Sequence, residues 1–402
     1  MKLIVQKFGG SSVADAGRVR NVAGIIARTV REGNRVIVVL SAQGDTTDLL
    51  IEKAADISDK PSKREMDALL ATGEQASVAL MAMCLEGMGV PAVSLAGWQV
   101  GMKTNSDYSN ARIRSVSDER IMKELDRGRV VLVAGFQGIN KSDDITTLGR
   151  GGSDTTAVAI AAAVHADRCQ IFTDVDGVYT ADPHKVKRAL KLDEITYDEM
   201  LELATLGAQV LHNRSVQLAQ KYNVELEVLS SFTGKPGTIV REVTKVERTK
   251  ISGIAKDSDT ARIAVVGLQD TPGKAFKVFN LLGRANINLD LIIQSIGRGG
   301  TKDISFTLGK SDWEEAVRIL EEYKDSLQYD HVDVQTDVSK VSIVGAGMIS
   351  TPGVAAMMFE ALYDIKVNIN MIATSEIKVS VLVNSEDADK AVSAIHDKFF
   401  GL

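Results

Sequence analysis

A glycine-rich segment near the middle of the chain carries the residues best suited to chemistry. It reads Gly149-Arg-Gly-Gly-Ser-Asp-Thr-Thr156 and leads into an Ala/Val run. This pattern predicts a turn and then a helix over residues 155–166, whose free N–H groups and positive dipole end face the loop. Such a junction can bind an anion. The loop adds one arginine, one aspartate and three hydroxyl groups for recognising it.

A second glycine-rich loop lies at the N-terminus. Apolar residues predict a strand over residues 2–8, and Lys7 and Phe8 precede Gly9 and Gly10. A lysine at a strand end can reach a bound phosphate, while the glycines let backbone N–H groups approach it closely. Taken alone, Lys7 could equally be a surface lysine that merely follows a strand. The P-loop pattern GxxxxGK[ST] is absent. Two anion-binding loops suggest two anionic ligands face to face, and hence phosphoryl transfer.

A third polar segment, Thr173-Asp-Val-Asp-Gly-Val-Tyr-Thr-Ala-Asp-Pro183, follows an apolar strand. Its Asp-x-Asp-Gly resembles part of an EF-hand, but no glutamate occupies the twelfth loop position. A turn that lines a nucleotide pocket is the favoured interpretation. The five histidines show no metal-binding spacing and there is no GxSxG, so nucleophilic catalysis by a side chain is not indicated.

Composition sets wider limits. The chain has 402 residues, enough for two or three domains. A net charge of −6 does not favour a nucleic-acid partner. Two cysteines, Cys84 and Cys169, lie in apolar stretches and predict reduced thiols. No uncharged run reaches the roughly 18 apolar residues of a membrane span, and no leader is expected, so the sequence predicts a cytoplasmic protein without membrane contact.

The elements that must position these loops alternate along residues 1–240. Strands are predicted over residues 2–8, 35–41, 92–95, 130–135, 170–173 and 226–230, with amphipathic helices such as 16–32 and 67–87 between them. Val/Ile-rich strands alternating with helices predict an α/β, three-layer domain with a mainly parallel sheet. In such sheets ligands bind at the carboxyl ends of the strands, where both glycine loops are expected.

The C-terminal part contains an internal repeat. Thr271-Pro-Gly recurs 80 residues later as Thr351-Pro-Gly, each after an apolar strand, and Asn286-Ile-Asn recurs as Asn368-Ile-Asn. Each copy predicts strand, turn, a helix begun near proline and a further strand. A repeat of this period indicates a small α+β module used twice.

Taken together, these motifs resemble aspartate kinase. The likeness rests on Lys7-Phe-Gly-Gly-Ser-Ser, Ser41-Ala-Gln-Gly-Asp-Thr-Thr-Asp, Thr72-Gly-Glu74, the 149–156 segment and the 173–183 segment, and it covers essentially the whole chain. The resemblance implies an amino-acid-kinase domain over 1–240 and a linker over 241–250. It then implies two ferredoxin-like ACT domains, the first over 263–338 and inserted into the second, which comprises 251–262 and 339–402.

The resemblance implies phosphoryl transfer from ATP to L-aspartate, giving 4-phospho-L-aspartate, the first step toward lysine, threonine and methionine. Physical chemistry agrees with this reaction. A side-chain carboxylate with a pKa near 4 is ionised at neutral pH, so the nucleophile needs no general base. What remains is to bring two anions together and to neutralise the moving phosphoryl group.

Roles for individual residues follow from the resemblance. Lys7 is implied to contact the phosphoryl group, and Asp154 to orient Lys7 or the metal-bound phosphates. Arg150 is implied to bind the α-carboxylate of aspartate, and Glu74 its α-ammonium group. The other implied substrate residues are Ser41, Thr47, Gly151, Gly152 and Ser153. The residues implied to line the ATP site, with Mg²⁺ bridging the phosphates, are Lys7, Phe8, Gly9, Gly10, Thr173, Asp174, Tyr179, Asp182, His184, Gln209 and Val210.

The ACT repeats imply feedback inhibition by lysine, threonine or both, and a homodimer or homotetramer formed through these domains. The implied effector residues of the first module are Asp270, Gly273, Lys274, Ala275, Asn288, Leu289, Asp290 and Gln294. Those of the second are Val354, Ala355, Asn368, Ile369, Ser375 and Glu376.

Three positions depart from the family pattern. Gln209 stands where a lysine is usual, His184 where an arginine is usual, and Asn213 where a proline often follows Leu-His. The first two changes remove fixed positive charge expected near the ATP phosphates. Because charge-assisted hydrogen bonds are roughly twice as strong as neutral ones, we predict a raised KM for ATP. The substitution Gln209→Lys should partly lower it, and unchanged kinetics in that variant would contradict the idea.

Two other functions remain in view. The chain could be another amino-acid kinase, acting on glutamate, acetylglutamate, carbamate or a nucleotide, but the paired repeats with Glu74 and Arg150 argue against it. It could instead be a catalytically weak amino-acid sensor that controls a sister kinase, as Gln209 and His184 suggest. The presence of Lys7, Glu74, Arg150 and Asp154 opposes that interpretation.

Overall fold

The computed structural model describes residues 1–206, 210–242, 251–295, 297 and 299–401. Among these, a first compact unit takes residues 1–179, 191–205 and 210–242. A second unit takes residues 180–190, 206 and those from 251 onward. The short segment Thr180–Leu190 thus belongs to the second unit, although both of its neighbours along the chain belong to the first.

The described strands are β1 (Leu3–Phe8), β2 (Arg35–Leu40), β3 (Ala92–Leu95), β4 (Lys103–Thr104), β5 (Ile113–Ser115), β6 (Val130–Ala134), β7 (Gln137–Ile139), β8 (Ile145–Thr147), β9 (Arg168–Thr173), β10 (Glu194–Thr196), β11 (Leu226–Ser230), β12 (Thr238–Arg241), β13 (Gly253–Gln269), β14 (Leu289–Gln294), β15 (Thr301–Leu308), β16 (His331–Val344), β17 (Met371–Thr374) and β18 (Lys378–Asn384). The described α-helices are α1 (Ala16–Arg31), α2 (Thr46–Ile57), α3 (Lys63–Gly87), α4 (Glu119–Asp126), α5 (Gly152–Ala163), α6 (Tyr197–Thr205), α7 (Asn213–Tyr222), α8 (Lys274–Arg284), α9 (Trp313–Glu322), α10 (Lys324–Leu327), α11 (Val354–Asp364) and α12 (Ala388–Phe400).

An eight-stranded sheet forms the first unit, in the order β10-β12-β11-β9-β1-β2-β6-β3. Neighbouring strands run parallel except for the antiparallel pair of β11 and β12. Helices α1 and α3 pack on the face that carries Val36, Val38 and Leu40. Residues alternate along a strand, so Ile37 and Val39 point to the opposite face, and α5 packs against β1, β2 and β9. This layered α/β architecture with a mixed, mainly parallel sheet confirms the predicted fold class.

The six predicted strands of this sheet are all present, with ends shifted by at most two residues. The helix predicted over 155–166 instead begins at Gly152 and ends at Ala163. Its N-cap, Gly151, has φ +66°, a left-handed conformation that favours glycine. Gly152 continues the helix where the side chain of Phe136 leaves no room for a Cβ, since an added Cβ would lie 2.8 Å from its ring. Ser153 and Asp154 therefore belong to the first helical turn.

The structure also contains a small four-stranded sheet, in the order β5-β4-β7-β8, which the sequence does not predict. Its strands are two or three residues long, too short for a hydrophobic period to reveal them. Strand β8 leads directly to the glycine-rich segment at Gly149, so this sheet supports the loop that carries Arg150.

The second unit is built on a six-stranded antiparallel sheet, in the order β14-β15-β13-β16-β18-β17. Helices α8 and α9 pack on one half, around Val278, Phe306 and Leu320, and α11 and α12 on the other, around Met358 and Ile395. The sequence repeat is thus a structural repeat within one sheet. The boundaries predicted at 262/263 and 338/339 fall inside the long central strands β13 and β16, and they stay predictions.

Helix α3 is long and apolar enough, by length and composition alone, to cross a membrane. Its buried residues, among them Val78, Met81 and Leu85, instead form part of the core of the first unit. The same helix buries two carboxylates, Asp67 and Glu74. These features are those of a core helix whose buried face packs on a sheet.

Candidate active site

A cavity of about 520 Å³ opens at the carboxyl ends of β1 and β2, beside the N-terminus of α5. It gathers eleven of the residues that the resemblance implied for substrate or phosphate binding. They are Lys7, Gly9, Gly10, Ser41, Thr47, Glu74, Arg150, Gly151, Gly152, Ser153 and Asp154. These residues come from four distant parts of the sequence, and all of them belong to the first unit.

An ion pair lies at the inner end of this cavity. The Lys7 Nζ is 2.7 Å from the Asp154 Oδ1, and each side chain is 12% exposed. Strand β1 supplies the lysine at its end and the first turn of α5 supplies the aspartate. The ammonium group also lies close to Gly9, because a Cβ built there would be 3.5 Å from Nζ. Asp154 thereby holds a cation where the two glycine-rich loops meet.

Glu74 is the second buried charge of the cavity. It lies on α3, is 4% exposed and accepts a hydrogen bond from the backbone N–H of Ala42 through Oε1 (3.1 Å). Its Oε2 is buried and has no hydrogen-bond partner among the described residues. Burial raises the pKa of Glu74 to about 7, although the Ala42 N–H acts in the opposite direction. A buried acceptor without a partner fits a ligand that brings a donor group.

Arg150 provides the exposed cation of the cavity. Its guanidinium makes no hydrogen bond or ion pair with any residue that the structure describes. The tight turn beside it depends on Gly151, since a Cβ there would lie 2.2 Å from the Cβ of His212. In the adjoining first turn of α5, the N–H groups of Ser153 and Asp154 have no carbonyl within the helix to bind. One free guanidinium and a helix N-terminus together suit an anionic ligand.

The residues implied for nucleotide binding belong partly to the first unit and partly to the second. Thr173 ends β9, and its hydroxyl donates to the Asp174 carboxylate (2.9 Å). The Tyr179 hydroxyl donates to Asp176 (2.6 Å), which lowers the pKa of Asp176 and raises that of Tyr179 to about 12. These residues lie in the first unit.

Four further residues of that set have different surroundings. Asp182 and His184 lie in the segment Thr180–Leu190 of the second unit, where Asp182 accepts from the backbone N–H of His184 (2.9 Å). The Phe8 side chain is buried and stacks on Phe172 at 4.4 Å, so only its backbone can approach a ligand. Val210 is half-buried in a turn. Gln209 lies outside the described residues.

A second cavity, of about 300 Å³, lies in the first repeat of the second unit. It is lined by Asp270, Gly273, Lys274, Ala275 and Gln294 of the implied effector set, and also by Lys302. Lys302 pairs with Asp270 at 2.5 Å. The Lys274 ammonium is turned inward and donates to the Leu327 carbonyl and the Gln328 side chain, both at 2.7 Å.

The remaining implied effector residues do not line this cavity. Asp290 forms an ion pair with the buried Lys340, and Asn288 and Leu289 stand beside it in sequence. In the second repeat, Val354 is buried in the core, while Asn368, Ser375 and Glu376 are exposed and Ala355 and Ile369 half-buried.

Sequence reasoning missed several residues that shape the active-site cavity. Phe136 lines it with a left-handed backbone (φ +68°), and strained residues of this kind cost about 1–3 kcal/mol and often mark functional sites. Asp67 and Arg214 hold the backbone that leads to the glycine-rich loop from outside the cavity. Of these residues, only Arg214 stands next to a motif that the sequence analysis singles out, because it follows Leu211-His-Asn213.

The donor set limits how a metal ion could be held. Within the part of the chain that the structure describes, no three His, Cys, Asp or Glu side chains stand close enough to ligate an ion together. Magnesium commonly binds one or two carboxylates and keeps most of its coordination for phosphates and water. The donor set therefore fits a magnesium ion that arrives on the phosphates of a nucleotide.

Comparisons with known proteins show which proteins this chain is similar to. Residues 2–230 match the model of the amino acid kinase family, and residues 263–323 and 341–399 match that of the ACT domain. An aspartokinase of Corynebacterium glutamicum is 49% identical over 99% of this chain and 96% of its own length. The structure of E. coli aspartokinase III in complex with aspartate and ADP (R-state) is 28% identical, with a TM-score of 0.84, and covers 99% of this chain and 100% of its own. The same enzyme in complex with lysine and aspartate (T-state) is 27% identical, with a TM-score of 0.76, and covers 99% of each chain.

Proposed function

The chain belongs to the aspartokinases of the amino acid kinase family, and on that premise we propose how its cavity carries out the reaction. The enzyme phosphorylates the side-chain carboxylate of aspartate with ATP and carries regulatory ACT domains. The observation that carries the site assignment is the convergence of Lys7, Glu74, Arg150 and the α5 N-terminus on one cavity.

Each pole of aspartate has a chemical match in this cavity. The α-ammonium group would donate to the Glu74 Oε2, which has no hydrogen-bond partner among the described residues, and the α-carboxylate would pair with the Arg150 fork. Ser41, Thr47 and Ser153 offer hydroxyl groups along the wall. Aspartate held at both ends presents its side-chain carboxylate in a fixed direction, so positioning replaces a bimolecular encounter.

The remaining task is to neutralise charge at the phosphoryl group. Lys7 would contact the phosphoryl oxygens while Asp154 holds its ammonium in place. Gly9 and Gly10 line the cavity, where their backbone N–H groups would face the phosphoryl oxygens. Position 10 has to be glycine, because a Cβ there would lie 2.7 Å from the Ala42 carbonyl oxygen. Fixed donors aimed at developing charge are commonly the largest catalytic contribution. Magnesium bound to ATP would neutralise further phosphate charge.

The other nucleotide contacts and the regulation belong to the same proposal. Thr173, Asp174, Tyr179, Asp182, His184 and Val210 would line the ATP site together with Gln209. Lysine, threonine or both would act as effectors at the ACT domains, with the 300 Å³ cavity as the first site. Aspartokinase III with lysine supports an amino-acid effector of this kind. A homodimer or homotetramer through the ACT domains, and a cytoplasmic location, complete the proposal.

Trapping the acyl phosphate with hydroxylamine tests the catalytic and regulatory proposals together. We expect aspartyl hydroxamate to form only with Mg-ATP and aspartate, and millimolar lysine, threonine or their mixture to suppress it. An effector must bind one global state better than another to do this. Activity indifferent to both amino acids would contradict the regulatory proposal. No turnover at saturating ATP, with lysine or threonine still bound, would favour the sensor function instead.

A further inference from the structure

The backbone on both sides of Arg150 is held by the first residues of helix α7. Arg214 donates through Nη1 to the carbonyl oxygen of Leu148 (2.5 Å) and through Nη2 to that of Ala111 (2.8 Å). It also donates to the Asn110 side chain (3.2 Å). On the other side of Arg150, Gly151 packs directly against His212. Helix α7 therefore contacts the residues that flank Arg150 in the loop.

Asp67 of helix α3 holds the same backbone segments as Arg214 does, but it accepts hydrogen bonds where Arg214 donates them. This fully buried carboxylate accepts the backbone N–H groups of Thr147 (2.8 Å) and Ser109 (2.9 Å). It also accepts both of their hydroxyl groups, at 2.8 and 3.3 Å. Neither Asp67 nor Arg214 forms an ion pair with any side chain that the structure describes. Burying a charge without a charged partner is costly. The buried Asp67 and the half-buried Arg214 are compensated instead by hydrogen bonds to backbone and side-chain groups of the 109–111 and 147–148 segments.

The backbone between the residues held by Asp67 and Arg214 and the cavity is fixed by further hydrogen bonds. Thr147 is fixed through its N–H by Asp67 and through its carbonyl by the N–H of Ala111 (2.9 Å). The Leu148 N–H donates to the carbonyl of Phe136 (2.9 Å). Arg150 follows two residues later, and no residue that the structure describes forms a hydrogen bond or ion pair that would orient its guanidinium. Its position thus depends on the backbone that Arg214 and Asp67 hold.

We propose that Arg214 is a positioning residue for aspartate: it holds the Leu148 carbonyl and thereby aims the Arg150 side chain at the substrate carboxylate. This inference rests on the proposed role of Arg150. It assigns to Arg214 an effect on aspartate rather than on ATP, because its side-chain hydrogen bonds all go to the segments beside Arg150. A merely structural role would change stability without separating the two substrates.

Steady-state kinetics of Arg214→Ala, Arg214→Lys, Arg150→Ala and Arg112→Ala test the proposal. We expect Arg214→Ala to raise KM for aspartate about tenfold or more, corresponding to the loss of a few charge-assisted hydrogen bonds, two of them partly buried, with KM for ATP changed less than about twofold. Guanidinium chloride well below denaturing concentration should restore part of the aspartate affinity. Arg214→Lys keeps the charge but not the planar fork, so it should raise KM for aspartate less than Arg214→Ala does. It also keeps the proposal testable if Arg214→Ala fails to fold. Arg112 is exposed and next to Ala111, so Arg112→Ala is the matched control and should behave as wild type.

The outcomes distinguish the positioning role of Arg214 from the substrate-binding role of Arg150. Unchanged KM for aspartate in both Arg214 variants, or an equal rise in both KM values, would overturn the positioning role while leaving Arg150 in place. If Arg150→Ala itself left KM for aspartate unchanged, the proposed substrate site and the positioning role would both be wrong. A rise in KM for aspartate, without one for ATP, in both Arg150→Ala and Arg214→Ala would support both. Guanidinium should then lower KM for aspartate in these two variants and leave it unchanged in the wild type and in Arg112→Ala.

Discussion

Replacing Lys7 by methionine is expected to lower kcat about 10²- to 10³-fold, the usual cost of losing one fixed donor to developing negative charge. Lys7 stands at the end of β1 with its ammonium 2.7 Å from Asp154, inside the cavity that also holds Glu74 and Arg150. Methionine keeps a similar length and removes only the charge and the donors. Initial rates of hydroxamate formation at saturating ATP and aspartate measure the effect on kcat directly. Lys2→Met, at an exposed residue beside the same strand, should leave the rate unchanged.

The same substitution also leaves the Asp154 carboxylate, 12% exposed, without its cation. Removing one partner of a largely buried pair is destabilising, by about 2 kcal/mol or more. Adding Asp154→Asn to Lys7→Met should recover part of the free energy of unfolding, measured in urea, without restoring turnover. Full activity in Lys7→Met, or a stable double variant that regains activity, would show that Lys7 does not contact the reacting group.

The sequence predicted best where a long apolar pattern determines the structure. Apolar runs identify six of the eight strands of the large sheet, most clearly β2 and β6, which are buried on both faces and apolar nearly throughout. The two strands without such a run, β10 and β12, are three and four residues long. The sequence predicts the start of α5 three residues too late, because two consecutive glycines indicate a loop by intrinsic propensity. In the folded chain Gly152 is required there by the Phe136 ring. Tertiary packing overrides local propensity at that position.

For the active site, too, the sequence predicts some residues and not others. Motifs singled out Lys7, Glu74, Arg150 and Asp154, and the structure brings all four to one cavity. Their partners could not be found in this way. Asp67 acts through residues 42 and 80 positions further along the chain, and Arg214 through residues 66 and 103 positions earlier. Such contacts depend on strands two or three residues long that leave no periodic signal.

The implied effector residues show what a sequence motif leaves out. Asp270 and Asp290 were expected to be available to a ligand, yet each is paired with a lysine, Lys302 and Lys340 respectively. A cationic effector group would have to displace a tethered ammonium to reach either carboxylate. The balance of charge in the cavity, rather than the number of acidic residues, therefore determines what can bind there.

Glu74→Gln is expected to weaken aspartate binding strongly while stabilising the free enzyme at alkaline pH. Truncating or neutralising one member of a buried charge pair typically costs 2–5 kcal/mol, so KM for aspartate should rise about 30-fold or more. Free Glu74 has a pKa of about 7, raised by burial from an ordinary value of 4.5. The folded state consequently holds this proton more tightly than the unfolded state. Wild-type stability should fall as pH rises from about 4.5 to about 7, and the full cost of roughly 3 kcal/mol remains above that range.

Glutamine removes that cost, so the variant should exceed wild type in free energy of unfolding most clearly at pH 8, with the difference vanishing toward pH 4.5. Urea unfolding at several pH values, without aspartate, measures this difference. Saturating aspartate should narrow the gap at pH 8, because its ammonium stabilises ionised Glu74 only in the wild type. Glu86→Gln, at an exposed position on the same helix, should change neither binding nor the pH profile. A Glu74→Gln enzyme that binds aspartate normally would exclude the ammonium contact. One that loses binding but gains no stability at pH 8 would show that the Glu74 carboxylate has a buried partner in the free enzyme.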